Sequence, residues 1–347
     1  MSTAMCAPAA STWSVGRLGL FQLQRYWEKS LLTVQRRLDP ASVAGEYELD
    51  FTLLHGLGLG IVEPANYLFG QQPSFAEFEA WICAQRQGPP TPALVARLNA
   101  MVERYCREPK RDFPLPDAAI SDPVLSAADL QCWDEHGYVV LRGAVPVADC
   151  QAVADLLWQN LGMDPEDPES WYRGDHLFWV SLFQHPALTR TRCAPRIHKA
   201  FAQLWGCEDL WATVDRCSVN RPERDGVDMS GPSRLHWDVS LAQPMPLGIQ
   251  GLLYLTDTSA EQGAFRCVPG FHRRLPEWLA SLPAGAQPRE QDLESLGAVP
   301  VPGAAGDFVL WHHALPHGSS RNRAERPRLV QYIHLFPHDY PVHPQWC

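Results

Sequence analysis

Hydrophobic positions follow two different rhythms along the chain. Toward the N-terminus they recur at helical intervals: Leu18, Phe21, Leu23, Tyr26, Trp27, Leu31, Leu32 and Val34 form one stripe, which Asp39-Pro40 interrupts. Ser74-Phe-Ala-Glu77 has the form of a capping box, with Phe75, Phe78, Trp81 and Ile82 following on one face. Pro92–Tyr105 repeats the pattern through Leu94, Val95, Leu98 and Val102. Between these segments, Leu57-Gly-Leu-Gly-Ile61 lacks the strand–turn–helix context of a phosphate loop and reads as a tight turn or a close packing site. Proline and charge over Glu108–Asp122 predict a linker. Ser126-Ala-Ala-Asp129 then opens a helix ending at Gly137, Tyr138–Leu141 reads as a strand, and Asp149–Leu161 reads as a helix with Gly162 beyond its end.

Further on, the period shifts toward two. Leu210–Val219, Arg234–Leu241, Ile249–Thr256, Ala264–Val268, Asp307–His312 and Leu329–Phe336 read as short strands separated by Gly, Pro and Asp turns. Six such strands predict a sandwich or barrel. The chain thus divides into a mainly helical region over 1–120 and a β-rich domain over 123–347, an α+β arrangement.

Composition narrows the functional classes. A hydrophobic share of 46% over 347 residues is enough for a sizeable core. The net charge of -10 disfavours an electrostatic nucleic-acid partner. Its 24 glycines and 31 prolines suit a turn-rich β core. No apolar run reaches the roughly eighteen residues of a membrane span, and the first residues lack the form of a secretory signal. Ten cysteines without a C-x-x-C pair read as isolated thiols in a reducing cytoplasm. A cytoplasmic enzyme with no membrane partner is the expectation, and nothing in the sequence sets its oligomeric state.

Against this background, His236-Trp-Asp238 stands out. On a strand, residues i and i+2 project from one face, so the imidazole and the carboxylate can point at one metal ion. Two histidines and one carboxylate make the facial triad that holds non-haem Fe(II) with coordination positions left open. A second imidazole is available at His312, His313 or His317, and an arginine that could grip a carboxylate at Arg326 or Arg328. Each residue also has a plainer reading: His236 as a core histidine, Asp238 as a turn carboxylate, His272 as a turn residue after Pro269-Gly270. The aromatic run Ser170–Trp179 and the indole of Trp237 read as core before pocket.

Four elements in order, Asp134–Leu141, His236–Asp238, Gly263–His272 and Gly306–Trp311 continuing through His317-Gly-Ser-Ser-Arg-Asn322 to Arg328, resemble the phytanoyl-CoA dioxygenase family of Fe(II)/2-oxoglutarate oxygenases. The likeness spans roughly residues 125–340. It implies a double-stranded β-helix core of jelly-roll, cupin-like form with flanking helices. It implies iron ligands His236, Asp238 and His317, the last by the following Gly-Ser and the spacing to Arg328. It implies that Arg328 binds the distal carboxylate of 2-oxoglutarate with Ser319 at the same end, Arg326 being the reserve, and that Tyr254 contacts the co-substrate. The activity implied is oxidation of an unactivated C–H bond of a small or medium-sized metabolite by O2, by default hydroxylation, with release of succinate and CO2. Natural-product biosynthesis is the expected setting. Halogenating relatives replace the ligand carboxylate with a small residue, so Asp238 disfavours halogen transfer. A β-barrel metal enzyme of another class, isomerase or hydrolase, and a non-catalytic binding protein are the rival readings.

Overall fold

The computed structural model describes residues 15–43, 45–108, 111, 113–115, 120–173, 178–224, 234–340, 342–343 and 346–347. Seven of the fifteen residues of the expected linker, Glu108–Asp122, lie outside them. In chain order the helices are α1 (Leu23–Val34), α2 (Tyr47–Gly56), α3 (Val62–Gln71), α4 (Phe75–Gln85), α5 (Pro92–Arg107), α6 (Ala127–His136), α7 (Val147–Leu161), α8 (Pro186–Arg192), α9 (Pro195–Trp205) and α10 (Phe271–Ser281). The strands are β1 (Tyr138–Leu141), β2 (Trp179–Val180), β3 (Leu210–Ala212), β4 (Cys217–Asn220), β5 (Ile249–Tyr254), β6 (Phe265–Cys267), β7 (Val299–Val301), β8 (Phe308–His312), β9 (His317–Ser319), β10 (Arg328–Tyr332) and β11 (Leu335–Pro337). Among the described residues no helix is long and apolar enough to cross a membrane.

The chain forms two compact units that are not continuous in sequence. One comprises Met1–Asp112 with Leu210–Val214 and Phe336–Pro344; the other holds the remainder. The division expected from chain order, 1–120 and 123–347, therefore leaves out two segments that return to the helical unit. Within that unit α1–α5 bury Leu23, Leu53, Leu68, Phe78, Ile82 and Leu98. Ser74 and Glu77 form the capping box of α4, as its sequence pattern predicts. At Gly60, which has a positive φ, an added Cβ would stand 2.5 Å from the carbonyl oxygen of Val214, so the Gly-rich turn is a place of close packing.

The other unit is built on antiparallel strands. A six-stranded sheet runs in the order β1-β8-β5-β10-β4-β2, and a three-stranded sheet in the order β7-β6-β9. Leu252, Tyr254, Val309, Trp311 and Val330 of the first sheet join Phe265 and Cys267 of the second in one buried cluster, so the core takes side chains from both. Directly paired residues of an antiparallel ladder share a face. The pairs Gln250–Trp311, Tyr254–Val330, Val330–Ser218 and Ser218–Trp179 thus place these side chains on one face of the large sheet, with Arg328 two positions from Val330.

Three sequence expectations need correction. The rear of the chain is not strand-like throughout: α8, α9 and α10 interrupt it. Pro186 and Pro195 stand in the first turns of α8 and α9, where a proline has no helical N–H to lose, so they start helices rather than breaking them. Leu210–Val219 is two strands, parted where the Asp215 carboxylate accepts from the Arg216 N–H at 2.7 Å. Arg234–Leu241 is not a strand; His236 alone makes a bridge, to His317. The carbonyls of Trp237 and Val239, which a ladder would need, accept instead from the Arg289 guanidinium.

Candidate metal centre

His236 and His317 exchange both backbone hydrogen bonds, 2.9 Å and 3.1 Å, so the sheet edge beyond β9 carries the first histidine to the second. Trp237 turns inward, buried, its indole donating to the Ala314 carbonyl at 2.9 Å, while His236 and Asp238 face out together. Trp237 is therefore core. The same-face placement expected of His-x-Asp is present without a full strand.

The potential ligand atoms of His236, Asp238 and His317 all lie within 4.8 Å of one another, and this is the one such group among the described residues. Nδ1 of His236 faces the Arg234 carbonyl at 2.9 Å, and Nδ1 of His317 faces the Leu315 carbonyl at 3.0 Å. A carbonyl only accepts, so Nδ1 carries the proton in each ring and Nε2 is directed at the carboxylate. Those Nε2 atoms stand 3.5 Å and 3.2 Å from the Asp238 oxygens. Burial disfavours charge on Asp238, but hydrogen bonds from both imidazoles and their positive charge outweigh it and hold the carboxyl far below its usual range. Burial likewise opposes charge on His236, yet the bond and charge of Asp238, with the Arg234 carbonyl, raise its pKa above the ordinary value. When each ring releases its Nε2 proton, two Nε2 lone pairs and one ionised carboxylate converge with the Nδ1–H tautomers already fixed, a donor set that fits a divalent transition metal.

His317 and Ser319, two apart on β9, share a face. Ser319 Oγ accepts from Nη1 of Arg328 at 2.9 Å, and Ser218 Oγ accepts from Nη2 at 3.0 Å. Arg328 is 0% exposed, its Nε has no partner, and no carboxylate lies within ion-pair distance among the described residues. Burial without a counter-charge among the described residues makes an anion the favourable partner for such a group. The Phe178 ring lies 5.4 Å from its guanidinium carbon. Arg326, by contrast, is two-thirds exposed and pairs with Glu166 at 3.3 Å on the surface.

The structure gives Tyr254 a different task from the one expected. Its hydroxyl donates to the Val301 carbonyl at 2.6 Å and accepts from the Phe265 N–H at 3.0 Å. Only a lone pair remains, which cannot bond a carboxylate. Tyr254 ties β5 to β6 and β7. The other histidines are likewise engaged: His312 Nδ1 accepts from the Ala314 N–H at 3.0 Å, His313 Nε2 meets the Pro246 carbonyl at 2.6 Å, and His272 Nε2 meets the Asp134 carbonyl at 3.1 Å. None joins the cluster. The aromatic run Ser170–Trp179 divides: Trp171 is buried, Trp179 is exposed, and residues 174–177 lie outside the described residues.

Four contributors carry no sequence signal of their own. Ser218 completes the Arg328 site; Gln250 donates to Asp238 Oδ2 at 2.7 Å; Trp311 donates to Gln250 at 3.1 Å; Arg289 fixes the carbonyls on either side of Asp238. Serine, glutamine and tryptophan within apolar strands announce nothing until the register is known.

The sequence profile of the phytanoyl-CoA dioxygenase family (PhyH) matches residues 133–330, more than half of the chain and inclusive of every residue of the cluster. The chain belongs to the phytanoyl-CoA dioxygenase family. Members of this family are Fe(II)/2-oxoglutarate-dependent oxygenases. Among relatives, a Dictyostelium discoideum protein carrying the name phytanoyl-CoA dioxygenase is 22% identical over 257 residues, covering 59% of this chain and 74% of its own length. Ava biosynthesis cluster protein O of Aspergillus versicolor is 21% identical over 241 residues, covering 58% and 75%. Among solved structures, the non-haem α-ketoglutarate-dependent carbocyclase SnoK of nogalamycin biosynthesis aligns with a TM-score of 0.46 at 22% identity, covering 63% of this chain and 87% of that one. The family match runs through both sheets and ends on β10, two residues beyond Arg328.

Proposed function

We propose that the protein is an Fe(II)/2-oxoglutarate-dependent dioxygenase that hydroxylates an unactivated C–H bond of a small or medium-sized metabolite, in natural-product biosynthesis. His236, Asp238 and His317 hold the iron. When bound, iron supplies the redox chemistry that couples O2 and the decarboxylation of 2-oxoglutarate to substrate oxidation, with succinate and CO2 as co-products. The two sheets are read as a double-stranded β-helix, and residues 123–347 as the domain that carries the activity.

The observation that carries this reading is Arg328. Three convergent ligands suit many metal enzymes, but a buried arginine with no counter-ion among the described residues, tied to β9 two positions beyond His317, asks for an anion of defined reach. Two strand residues span about 6.6 Å, a distance suited to a five-carbon dicarboxylate that meets the metal at one end and the guanidinium at the other. Ser319 and Ser218 hold the guanidinium through Nη1 and Nη2, which leaves Nε without a partner. The Nδ1–H bonds of His236 and His317 hold the rings as neutral donors through Nε2. The half-exposed side of His236 and Asp238 is where a substrate approaches, and Trp179, exposed on the same sheet face and 5.2 Å from the Tyr332 ring, suits it for contact with a hydrophobic part of that substrate.

The test is succinate release from iron-loaded protein given 2-oxoglutarate, O2 and a metabolite library, with oxidised product identified by mass spectrometry. Substrate-stimulated succinate with a product heavier by one oxygen supports hydroxylation. A dehydrogenated, cyclised or epimerised product would replace hydroxylation with another outcome of the same chemistry.

A further inference from the structure

Asp238 sits on an irregular segment with its side chain half exposed, yet a metal carboxylate must hold one orientation. Its oxygens meet Nε2 of His236, Nε2 of His317 and Nε2 of Gln250, the last at 2.7 Å. Metal binding takes both histidine Nε2 lone pairs, so neither ring then donates to the carboxylate through that atom. Gln250 remains as the hydrogen-bond donor recorded to Asp238 among the described residues.

We propose that Gln250 is the positioning residue of the metal carboxylate, and that Trp311 sets its orientation. An amide can present either its oxygen or its nitrogen to a neighbour. Here the choice is forced, because the indole N–H of Trp311 only donates and points at Gln250 Oε1 from 3.1 Å. Oε1 therefore faces the indole and the NH2 group faces Asp238. Gln250 and Trp311 are directly opposed in the β5–β8 register, which holds the pair within one rung of the sheet. The Trp311 ring also lies 5.2 Å from the ring of His317. One buried indole thus abuts one ligand and orients a second through the amide, coupling the ligand geometry to the large sheet.

The inference rests on the metal reading above, and its test separates the two. Co(II) affinity of the full-length protein is measured by calorimetry for the wild type, Gln250→Leu, Trp311→Phe, the double variant and His236→Ala, with thermal melts of each metal-free protein as a check on folding. Loss of a partner that orients a metal ligand typically costs about 10–100-fold in affinity. Gln250→Leu is expected to weaken Co(II) binding within that range, Trp311→Phe to weaken it less, and the double variant to bind no worse than Gln250→Leu. Such non-additivity marks two residues acting through one hydrogen bond, which general destabilisation would not produce. Wild-type affinity in Gln250→Leu, or losses that simply add, would overturn the proposal. If Gln250→Leu does not fold, unchanged affinity in Trp311→Phe overturns it instead. Undiminished binding by His236→Ala would instead defeat the metal site itself.

Discussion

Nε2 of His317 lies 3.2 Å from Oδ2 of Asp238, while Nδ1 of the same ring donates to the Leu315 carbonyl at 3.0 Å. With its one neutral-state proton spent on Leu315, the ring approaches a carboxylate lone pair to lone pair unless a cation lies between them. A second proton or a metal ion answers that need. The His236 ring stands in the same relation to Asp238 through Arg234. At the proposed metal site, H+ and a divalent metal would therefore compete for the same lone pairs.

Replacing a ligand removes the site. His236→Ala or Asp238→Ala is expected to weaken metal binding by more than the roughly 10–100-fold that a supporting partner is worth, and to abolish 2-oxoglutarate turnover. Both are half exposed, so the folded state should survive, which a thermal melt checks.

Arg328 and Arg326 should part company. A hydrogen bond to a charged group contributes about 1.5–3 kcal/mol, so Arg328→Ala is expected to raise the half-saturating 2-oxoglutarate concentration about 10–100-fold. Arg326→Ala removes only an exposed pair with Glu166 and should leave that value unchanged. Initial rates of succinate formation against 2-oxoglutarate concentration make the comparison.

Tyr254→Phe discriminates co-substrate contact from structural support. It strands the Val301 carbonyl and the Phe265 N–H in the core, at a cost of about 1–3 kcal/mol in stability. Denaturant unfolding should record that loss. The half-saturating 2-oxoglutarate concentration should not move.

Acid opposes the metal through His236. Its pKa is raised above 6.5, so at lower pH the ring is an imidazolium and cannot ligate; metal affinity should climb as pH rises through the raised value. Asp238, held far below its usual range, stays ionised while His236 titrates. The metal-free protein behaves in the opposite sense. The stabilisation from charged His236 beside Asp238 is fully present below 6.5 and lost as pH rises through the raised pKa, and at the acid end it fades as Asp238 is protonated. With both groups half exposed, solvent screening limits that effect to about 1 kcal/mol or less. Metal titrations and melts over one pH series check both signs.

Much of this was legible because the relevant signals are local. Ser126 and Gly137 bracket α6, and Tyr138–Leu141 is the strand its residues predict. Proximity of His236 to Asp238 follows from period two alone. What the chain hides depends on long-range register. Gln250, Ser218 and Trp311 acquire roles only because β5, β4 and β8 align them with Asp238 and Arg328. Tyr254 shows the converse: placed correctly on a strand beside the site, it spends its hydroxyl on neighbouring backbone that no linear reading reveals. Helices α2 and α3 escaped for a different reason. Glu48, Thr52 and His55 are buried on α2, and Pro64 stands in the first turn of α3, so neither shows an apolar stripe that the eye can follow.

On the proposed function, a metal held by His236, Asp238 and His317 and a dicarboxylate held by Arg328 bind as one unit. Calorimetric titration of 2-oxoglutarate into Co(II)-loaded protein without O2 tests it most directly. Binding that requires the metal and that Arg328→Ala weakens about 10–100-fold is the predicted result; binding that is equally tight without metal, or unaltered in Arg328→Ala, would contradict it.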